Sequence, residues 1–326
     1  MTKINLLVIS PPDHPALGKL DVLRDISSMS VSDDAVELQK LAPAAEVILL
    51  SGSAEQTARF AQAWKYAKSV RWVHSLAAGV EQLLFPELVE STVAVTNARG
   101  VFKRSLAEFA VLGMLFHFKK VRRLIDNQRR HAWERFYVTF ADERVMGVVG
   151  FGEIGRECAL LAKGLGVKIH AVRRNSAKSA NDPVVDRIFM LQDLHEMLAG
   201  IDVLVCAAPL TPDTHHMISD AQFAVMKPTA IVVNVGRGPV IDEAALIRAL
   251  QNERIAGASL DVFEEEPLPV SSPLWNMENV LISPHCADRT RDPDSQELSM
   301  QLFIENFHRY RRGEGLQNLV DKRAGY

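Results

Sequence analysis

The chain has 326 residues, 48% of them hydrophobic, with 37 basic and 40 acidic side chains. This length allows two domains with separate cores, and a net charge of −3 argues against a polyanionic partner such as nucleic acid. The sequence has three cysteines and no apolar stretch near the ~20 residues of a membrane span. We therefore expect a cytoplasmic protein without disulfides or membrane contacts.

The N-terminal part of the sequence predicts a small α/β layer structure of its own. Ile4–Ile9 is apolar apart from Asn5 and is followed by Ser10 and two prolines, as in a buried parallel strand. Further strands are expected at Val47–Leu50, residues 70–76 and residues 93–96, with a helix at 55–66. The loop at 75–80 consists of small residues that could offer backbone N–H groups to a small anion. On these residues alone, an ordinary strand-to-helix turn is the favoured interpretation.

A long helical pattern with an apolar face begins at Lys103 and runs into a cluster of basic residues at 119–130. We interpret the basic cluster as a solvated helix end, where cations complement the helix dipole, and we disfavour nucleic-acid binding. The aromatic-rich connector at 131–137 is expected either to contact another subunit or to pack on its own domain.

A glycine motif lies near the middle of the chain, between a strand at Val145–Val149 and a helix, with a second strand at 167–172. In this G-x-G-x-x-G motif, Gly150 makes the tight turn, Gly152 lets the backbone approach a pyrophosphate, and Gly155 lets helix and strand pack closely. Free N–H groups and the helix dipole then face the anion. The motif predicts a dinucleotide site.

The residues after the second strand of this unit indicate which dinucleotide binds. NAD-binding folds usually place an acid at this point, but here the strand is followed by Arg173, Arg174 and Asn175. Two guanidinium groups suit a dianionic 2′-phosphate. The alternative is that both arginines are surface charges and either cofactor is accepted. NADP(H) is therefore the favoured cofactor, with NAD(H) possible.

Strands and helices alternate through the rest of the chain and predict a doubly wound parallel sheet. The expected strands are residues 187–191, 202–207, 230–235, 255–262 and 280–283. Asp242 is placed to cap the helix that follows it. A last helix, residues 291–313, is expected to return to the first domain. This arrangement inserts a nucleotide domain (residues 99–286) into a split substrate domain (residues 1–98 and 287–326).

Three charged residues near the carboxyl ends of these strands are candidates for catalysis, since ligands of such sheets bind there. Arg237 lies between glycines and can bind a carboxylate with two hydrogen bonds. Glu266 near His285 would raise the pKa of the imidazole, which could then donate a proton to a carbonyl oxygen. The ordinary alternatives are a surface ion pair, a solvated acid and a core histidine, and together they are the less favoured interpretation.

Several ordered motifs resemble the D-isomer-specific 2-hydroxyacid dehydrogenases. They are residues 148–155, 209–212, 226–238, 258–267 and 283–285, and the similarity is weaker in the first domain. The resemblance implies two Rossmann-like domains, with Arg237 binding the substrate carboxylate, His285 as acid/base and Glu266 as its partner. It also implies carboxylate contacts from the loop formed by Ala78, Gly79 and Val80, and no metal.

The resemblance extends to the cofactor contacts. It implies that Asp261 contacts the nicotinamide amide. The full set of expected cofactor contacts is Gly150, Gly152, Glu153, Ile154, Gly155, Arg173, Arg174, Asn175, Pro209, Thr214, Val235, Gly236, Arg237, Asp261 and His285.

The expected function is NADPH-dependent reduction of a small 2-oxo acid, such as glyoxylate or hydroxypyruvate, to the D-2-hydroxy acid, by a homodimer formed through the region after Gly100. The alternatives are a nucleotide-sensing corepressor-like protein or another family dehydrogenase, such as a short phosphoglycerate dehydrogenase. Trp64, Trp72 and Trp133 are candidates for selecting the substrate side chain. Asp288 stands where the family has a small residue, and Cys286 is expected to be buried.

Overall fold

The computed structural model describes residues 3–173, 182–291 and 294–325, which form two compact units. Unit 1 contains the residues up to Phe102 and those from Thr290 onward, and unit 2 is Lys103–Arg289. Each unit has its own parallel sheet, so the prediction of two α/β domains with parallel sheets is confirmed. The assignment of one domain to the substrate and the other to the nucleotide stays a prediction.

The helices and strands are as follows in chain order. Before residue 103 they are β1 (Ile4–Ile9), β2 (Ser27–Ser32), α1 (Ala35–Leu41), β3 (Val47–Leu50), α2 (Ala54–Ala63), β4 (Trp72–Ser75), α3 (Pro86–Glu90) and β5 (Ala94–Asn97). From residue 103 to 289 they are α4 (Lys103–Phe118), α5 (Val121–Arg129), β6 (Val145–Val149), α6 (Glu153–Lys163), β7 (Lys168–Arg173), β8 (Arg187–Met190), α7 (Leu194–Gly200), β9 (Val203–Cys206), α8 (Asp220–Val225), β10 (Ile231–Asn234), α9 (Glu243–Gln251), β11 (Gly257–Leu260) and β12 (Val280–Ile282). The last helix is α10 (Ser295–Arg311).

The sheet of unit 1 has the strand order β2-β1-β3-β4-β5. Strand β2 escaped the sequence analysis because its residues, SSMSVS, show no apolar run; it pairs with the edge of β1 in parallel register. Helix α10 covers one face of this sheet, where Phe303 stacks on Trp72 at a centroid distance of 5.3 Å. Trp72 is completely buried in this core, so its candidacy for selecting the substrate was wrong.

The sheet of unit 2 has the strand order β12-β11-β10-β9-β6-β7-β8. The chain starts in the middle at β6, builds outward through β7 and β8, and then returns to β9 on the other side. This reversal creates a crevice at the carboxyl ends of β6 and β9, which is where doubly wound sheets bind ligands. A continuous apolar core that includes Leu204, Phe223 and Val232 supports this part of the sheet.

Helix ends follow the local sequence signals in most places. Asp242 caps α9 as predicted, because its carboxylate accepts a hydrogen bond from the Ala245 N–H at 2.9 Å. The basic cluster does not lie at one helix end, since the chain turns at Lys120 (φ 52°) and starts α5 there. Among the described residues, no helix combines the length and hydropathy needed to cross a bilayer.

Candidate active site

The glycine loop between β6 and α6 has three glycines with three different surroundings. Gly150 has a φ of +89°, which favours glycine, and a methyl group there would overlap the backbone of Ala208. A methyl group on Gly155 would overlap the carbonyl oxygen of Gly150. At Gly152 a methyl group would meet no described atom within 4 Å, so its Cα borders open space. Only Gly152 therefore leaves room for a ligand to approach the backbone.

The first turn of α6 follows this open glycine. No side chain of the described residues caps the helix at Gly152, and the first intrahelical bond runs from Arg156 N–H to Gly152 C=O at 2.9 Å. The N–H groups of Glu153, Ile154 and Gly155 precede that bond and have no partner within the helix. With the positive end of the helix dipole, they fit an anionic group such as a pyrophosphate.

Arg173 is the last residue of β7 and turns back onto the glycine loop. Its Nη2 donates a hydrogen bond to the carbonyl oxygen of Phe151, and its guanidinium lies 5.3 Å from the centre of the Phe151 ring. Arg174 and Asn175, predicted to bind a 2′-phosphate, lie outside the described residues. Arg173 thus supports the glycine loop through the backbone and the ring of Phe151.

The loop after β9 contains a tight turn built on one hydroxyl group. Thr214 Oγ1 donates to the carbonyl oxygen of Pro209 at 2.6 Å and accepts from the Thr211 N–H at 2.8 Å. Ala208 just before this turn lies against both Gly150 and Gly236. The three loops that follow β6, β9 and β10 are thereby packed against one another.

Arg237 follows β10 in a turn held by a residue that the sequence analysis missed. The buried Asn234 accepts a hydrogen bond from Gly236 N–H and donates one to the Arg237 carbonyl oxygen, both at 3.1 Å. The preceding Val235 is also buried, and Arg237 Nη1 donates to Gly236 C=O at 2.8 Å. A polar residue at the end of an otherwise apolar strand was the sequence signal for Asn234.

His285 and Glu266 are brought together as the sequence predicted. His285 Nδ1 donates to Glu266 Oε2 at 2.6 Å, while Glu266 Oε1 accepts from Phe263 N–H at 2.9 Å. The hydrogen bond to Glu266 raises the pKa of His285 against the opposing effect of burial. Burial raises the pKa of Glu266, but the hydrogen bonds from His285 and Phe263 together outweigh burial, so the pKa of Glu266 is lowered overall. The pair therefore stabilises the protonated imidazole and the ionised carboxylate relative to the isolated side chains.

The backbone of His285 adopts a conformation that is uncommon for a residue with a side chain. Its φ is 50°, and its N–H bonds to the carbonyl oxygens of Asp261 at 2.9 Å and Ser283 at 3.0 Å. Strained backbone of this kind persists where the surroundings enforce it, and it is frequent at functional sites. With Nδ1 bonded to Glu266, the nitrogen left for a ligand is Nε2.

Asp261 is buried at the end of β11 with its two carboxylate oxygens used unequally. Oδ1 accepts from Ser283 Oγ at 2.5 Å and from the N–H groups of Cys286 and Ala287, each at 3.0 Å. Oδ2 is buried and has no hydrogen-bond partner among the described residues. A buried carboxylate oxygen without a donor is costly, and an amide donor such as that of a nicotinamide would satisfy it. Ser283, which helps orient this carboxylate, was not predicted.

The small-residue loop of unit 1 is held from both sides. A methyl group on Gly52 would overlap Ala77, and Asn97 Nδ2 donates to the Ala78 carbonyl oxygen at 2.6 Å. No described residue accepts a hydrogen bond from the N–H groups of Ala78, Gly79 or Val80. The loop can therefore present these donors to a small anion.

The structure also shows the exposure of Cys286 and of two tryptophans that were candidates for selecting the substrate. Cys286 is exposed, so the expected buried packing role was wrong; its backbone N–H bonds to the buried Asp261 carboxylate, but the residue remains accessible to solvent. Trp64 packs half-buried against Phe60 and Phe85. Trp133 is 94% exposed and has little contact with its own unit.

Comparison with known proteins decides the family. The family model for the NAD-binding domain of D-isomer-specific 2-hydroxyacid dehydrogenases matches residues 111–287, which is more than half of the chain. The chain belongs to this family. The prediction of an enzyme with a Rossmann-type NAD(P)-binding domain is thereby confirmed. This dehydrogenase accordingly uses a nicotinamide cofactor.

Two relatives of the dehydrogenase are both named glyoxylate reductases. The glyoxylate reductase of Korarchaeum cryptofilum is 34% identical over 271 residues, covering 80% of this chain and 79% of that protein. The glyoxylate reductase of Thermococcus gammatolerans is 34% identical over 268 residues, covering 78% of each.

Solved structures resemble the dehydrogenase over its whole length. The D-isomer-specific 2-hydroxyacid dehydrogenase of Xanthobacter autotrophicus Py2, in complex with NADPH and MES, is 29% identical with a TM-score of 0.81, and the match covers 100% of both chains. The NADPH-dependent glyoxylate/hydroxypyruvate reductase of Sinorhizobium meliloti, in complex with NADP and sulfate, is 25% identical with a TM-score of 0.84, covering 99% of this chain and 100% of the other.

Proposed function

We propose that this dehydrogenase reduces a small 2-oxo acid, with glyoxylate and hydroxypyruvate as the first candidates, to the D-2-hydroxy acid with NADPH. The observation that carries the proposal is the 2.6 Å hydrogen bond between His285 and Glu266 at the carboxyl edge of the unit 2 sheet. The names of the Korarchaeum and Sinorhizobium proteins support this choice of substrate.

Arg237 binds the carboxylate of the substrate. A guanidinium forms two parallel hydrogen bonds with a carboxylate, which fixes both its position and its orientation. Asn234 and Gly236 hold the turn that carries Arg237, so the guanidinium is attached to a rigid part of the sheet edge. A bound 2-oxo acid is thereby oriented before reaction, which lowers the entropic part of the barrier.

His285 supplies the proton. A nicotinamide bound here would supply the hydride for the keto carbon. His285 Nε2 protonates the oxygen that gains negative charge, and Glu266 accepts from Nδ1 throughout and stabilises the imidazolium form. In the reverse direction the neutral His285 takes the same proton back.

The cofactor contacts in unit 2 follow from the shape of the loops. Gly152 and the N–H groups of Glu153, Ile154 and Gly155 would hold the pyrophosphate, and Asp261 Oδ2 would accept a hydrogen bond from the nicotinamide amide. The remaining proposed cofactor contacts are Gly150, Arg173, Arg174, Asn175, Pro209, Thr214, Val235, Gly236, Arg237 and His285. Arg173 and Arg174 stand where an NAD-preferring chain has an acid, which favours the 2′-phosphate of NADPH.

The loop of Ala78, Gly79 and Val80 in unit 1 contacts the substrate carboxylate through backbone N–H groups. The support is that no described residue uses these donors. Replacing Gly79 with proline removes one N–H, since proline has no backbone donor. We expect a higher KM for the 2-oxo acid and an unchanged Kd for NADPH. An unchanged KM would contradict this contact.

We also propose that the enzyme is a homodimer assembled through the connector after α5. Trp133 and Tyr137 are each 94% exposed and Phe140 is 79% exposed, which is unusual for aromatic side chains of a monomer. Lys119 Nζ donates to Thr139 C=O at 2.7 Å, and Arg123 lies 4.5 Å from the centre of the Phe136 ring, so the connector is held in place. Gel filtration with light scattering should give a dimer, and a Trp133→Ser, Tyr137→Ser variant should shift toward monomer.

The proposed reaction is tested by the loss of NADPH absorbance on addition of glyoxylate or hydroxypyruvate. We expect turnover with one or both acids, and a reduction of kcat by roughly 10²–10⁴ in His285→Ala, the range for a lost general acid. The midpoint of denaturant unfolding of this variant should match that of the unchanged enzyme and serves as the folding control. Full activity of His285→Ala would overturn the assignment.

The cofactor preference is tested separately. We expect a higher kcat/KM with NADPH than with NADH, and a loss of this preference in Arg174→Asp, because the introduced carboxylate repels a 2′-phosphate and accepts ribose hydroxyls. Equal kcat/KM values for the two cofactors in the unchanged enzyme would contradict the proposal for NADPH.

A further inference from the structure

A second histidine–glutamate pair joins the loop that carries Glu266 to the loop between β9 and α8. His216 Nε2 and Glu264 Oε1 are 2.6 Å apart, and Glu264 precedes Glu266 by two residues. The His216 side chain is 39% exposed and the Glu264 side chain is 33% exposed, so the direct contribution of this ion pair to stability is small. Through Glu264, the pair attaches His216 to the loop that carries Glu266.

The backbone of His216 makes a further contact, to the turn that carries Arg237. The His216 N–H donates to the Pro239 carbonyl oxygen at 2.7 Å, and two residues later the Ile218 N–H donates to Val240 C=O at 3.1 Å. His216 adopts a φ of 50°, an uncommon conformation for a residue with a side chain. This conformation accompanies the two contacts that His216 makes, one through its backbone and one through its ring.

The Glu264 end of the pair is also fixed. Glu264 Oε1 accepts from the Glu243 N–H at 3.1 Å, and the Glu264 N–H donates to Glu243 Oε2 at 3.2 Å. A methyl group on Gly238 would overlap the carbonyl oxygen of Phe263, so the Arg237 turn and the Glu266 loop are pressed together. Phe263 in turn donates its N–H to Glu266. Glu264 is thereby connected through direct contacts to both segments.

We propose that His216 is a positioning residue for the reduction of the 2-oxo acid. Its ring holds the loop of Glu264 and Glu266, and its N–H holds the turn of Arg237, so that one residue fixes the proton-donating pair relative to the carboxylate-binding guanidinium. The proposal rests on the proposed function for its kinetic consequences, but the arrangement of His285 and Glu266 is measurable without any substrate.

The charged and titratable groups around the two pairs are these. In the catalytic pair, His285 lies near Glu266, Asp261 and Asp288, and Glu266 lies near His285 and Arg237. In the second pair, His216 lies near Glu264 and His215. Glu243, which bonds to Glu264, also lies near Glu265. Of these groups, the Glu266 carboxylate makes the largest contribution to the raised pKa of His285. Moving the Glu266 loop away from His285 would therefore return that pKa toward its ordinary value.

The chain offers a matched control in the neighbouring histidine. His215 stacks on His216 at a centroid distance of 4.0 Å and is exposed. The test compares His216→Ala with His215→Ala, and with His216→Gln, which retains a side-chain donor. Glu264→Gln keeps the size of the partner while it removes the charge, and it carries the test if His216→Ala fails to fold.

The first measurement is the titration of His285 followed by the NMR signals of its ring nitrogens, in the enzyme without substrate. We expect His216→Ala and Glu264→Gln to lower the pKa of His285, His215→Ala to leave it unchanged, and His216→Gln to restore part of the shift. An unchanged titration of His285 in both His216→Ala and Glu264→Gln overturns the proposal, even if both variants melt at lower temperature. This outcome is independent of whether 2-oxo acids are the substrates.

The second measurement is steady-state kinetics with glyoxylate and NADPH. Because loss of alignment in an active site costs roughly 10- to 100-fold in rate, we expect His216→Ala to lose that much in kcat/KM for the 2-oxo acid with little change in the Kd of NADPH. Equal losses in His215→Ala and His216→Ala would reduce His216 to an ordinary structural residue and overturn the proposal. Absence of turnover in the unchanged enzyme would instead refute the proposed function, and the NMR titration would still decide the role of His216.

Discussion

The hydrogen bond between Glu266 and His285 links the pH dependence of the reduction to a single pair of side chains. The carboxylate raises the pKa of His285 above its ordinary value of 6.5, in opposition to burial. As a general acid, His285 must be protonated before it donates, so kcat/KM for reduction should be high below this raised pKa and fall as the pH rises through it. In Glu266→Gln the fall should move to lower pH, with a lower kcat at neutral pH.

The Asp288 carboxylate provides an internal comparison for this prediction. It also raises the pKa of His285, but as a smaller cause than Glu266. Asp288→Asn should therefore move the fall in kcat/KM in the same direction by a smaller amount. Full pH profiles of kcat/KM for the three proteins provide the measurement. A profile that is unchanged in Glu266→Gln would show that His285 does not control the observed titration.

At the scale of single elements, the loop between β6 and α6 separates the requirements of folding from those of binding. A methyl group on Gly155 would overlap the Gly150 carbonyl oxygen and crowd Val148, whereas one on Gly152 would meet no described atom. We expect Gly155→Ala to lower the free energy of unfolding by about 1–3 kcal/mol, as for other overpacked sites. Gly152→Ala should unfold like the unchanged enzyme but bind NADPH more weakly.

Denaturant unfolding and fluorescence titration with NADPH measure these two effects in both variants. The two alanine variants act as controls for each other, because they add the same group two and five residues after Gly150. If Gly152→Ala bound NADPH with the same Kd as the unchanged enzyme, the open space at Gly152 would not be the pyrophosphate contact.

The elements that sequence reasoning predicted are those with a strong local signal. The largely apolar segment Ile4–Ile9 became β1, and the apolar run of Val47–Leu50 became β3, because strands buried on both faces are rich in apolar residues. The polar strand Ser27–Ser32 lacked that signal and was found only through its pairing with β1. The break between α4 and α5 at Lys120 was missed as well. Lys120 adopts the left-handed backbone conformation, which is usually signalled in a sequence by glycine.

The residues of the candidate site also differ in how well the sequence predicts them. Arg237, Glu266 and His285 were predictable because reactive groups follow strand ends, and the structure brings Glu266 to within 2.6 Å of His285. Asn234 carried a local signal that the sequence analysis missed, a polar residue at the end of an apolar strand. Ser283 and His216 carried none, because their hydrogen-bond partners Asp261 and Glu264 are distant in the sequence. Such contacts depend on the packing of several loops, which local patterns do not encode.

At the scale of the whole molecule, each unit contains a histidine whose pKa is lowered by burial, completely buried in unit 1 and partly buried in unit 2. In unit 1, His74 of β4 is completely buried; its Nδ1 lies 2.7 Å from Thr96 Oγ1, and its Nε2 has no partner among the described residues. Burial lowers the pKa of His74 to about 3. In unit 2, burial lowers the pKa of His117 to about 4, against a hydrogen bond to the Ala258 carbonyl oxygen. Both units should therefore lose stability in acid.

The sign of this effect follows from proton uptake. Below the ordinary pKa of 6.5, an unfolded chain protonates His74 while the folded unit does not, so its contribution to stability is complete above pH 6.5 and is lost as the pH falls toward 3. One proton corresponds to about 1.4 kcal/mol per pH unit in the free energy of unfolding. His74→Gln should reduce this slope, whatever its effect on stability at neutral pH.

The measurement is the free energy of unfolding by denaturant between about pH 7 and about pH 5, a range chosen to span the titration of an unfolded histidine. Amide hydrogen exchange of the β4 peptide locates the loss in unit 1. Substitution of the exposed His215 by glutamine controls for the removal of a histidine that is accessible to water in the folded enzyme. A His74→Gln variant with the same slope as the His215→Gln variant would contradict the prediction, because burial of the neutral ring is the only difference between the two sites that this experiment reads.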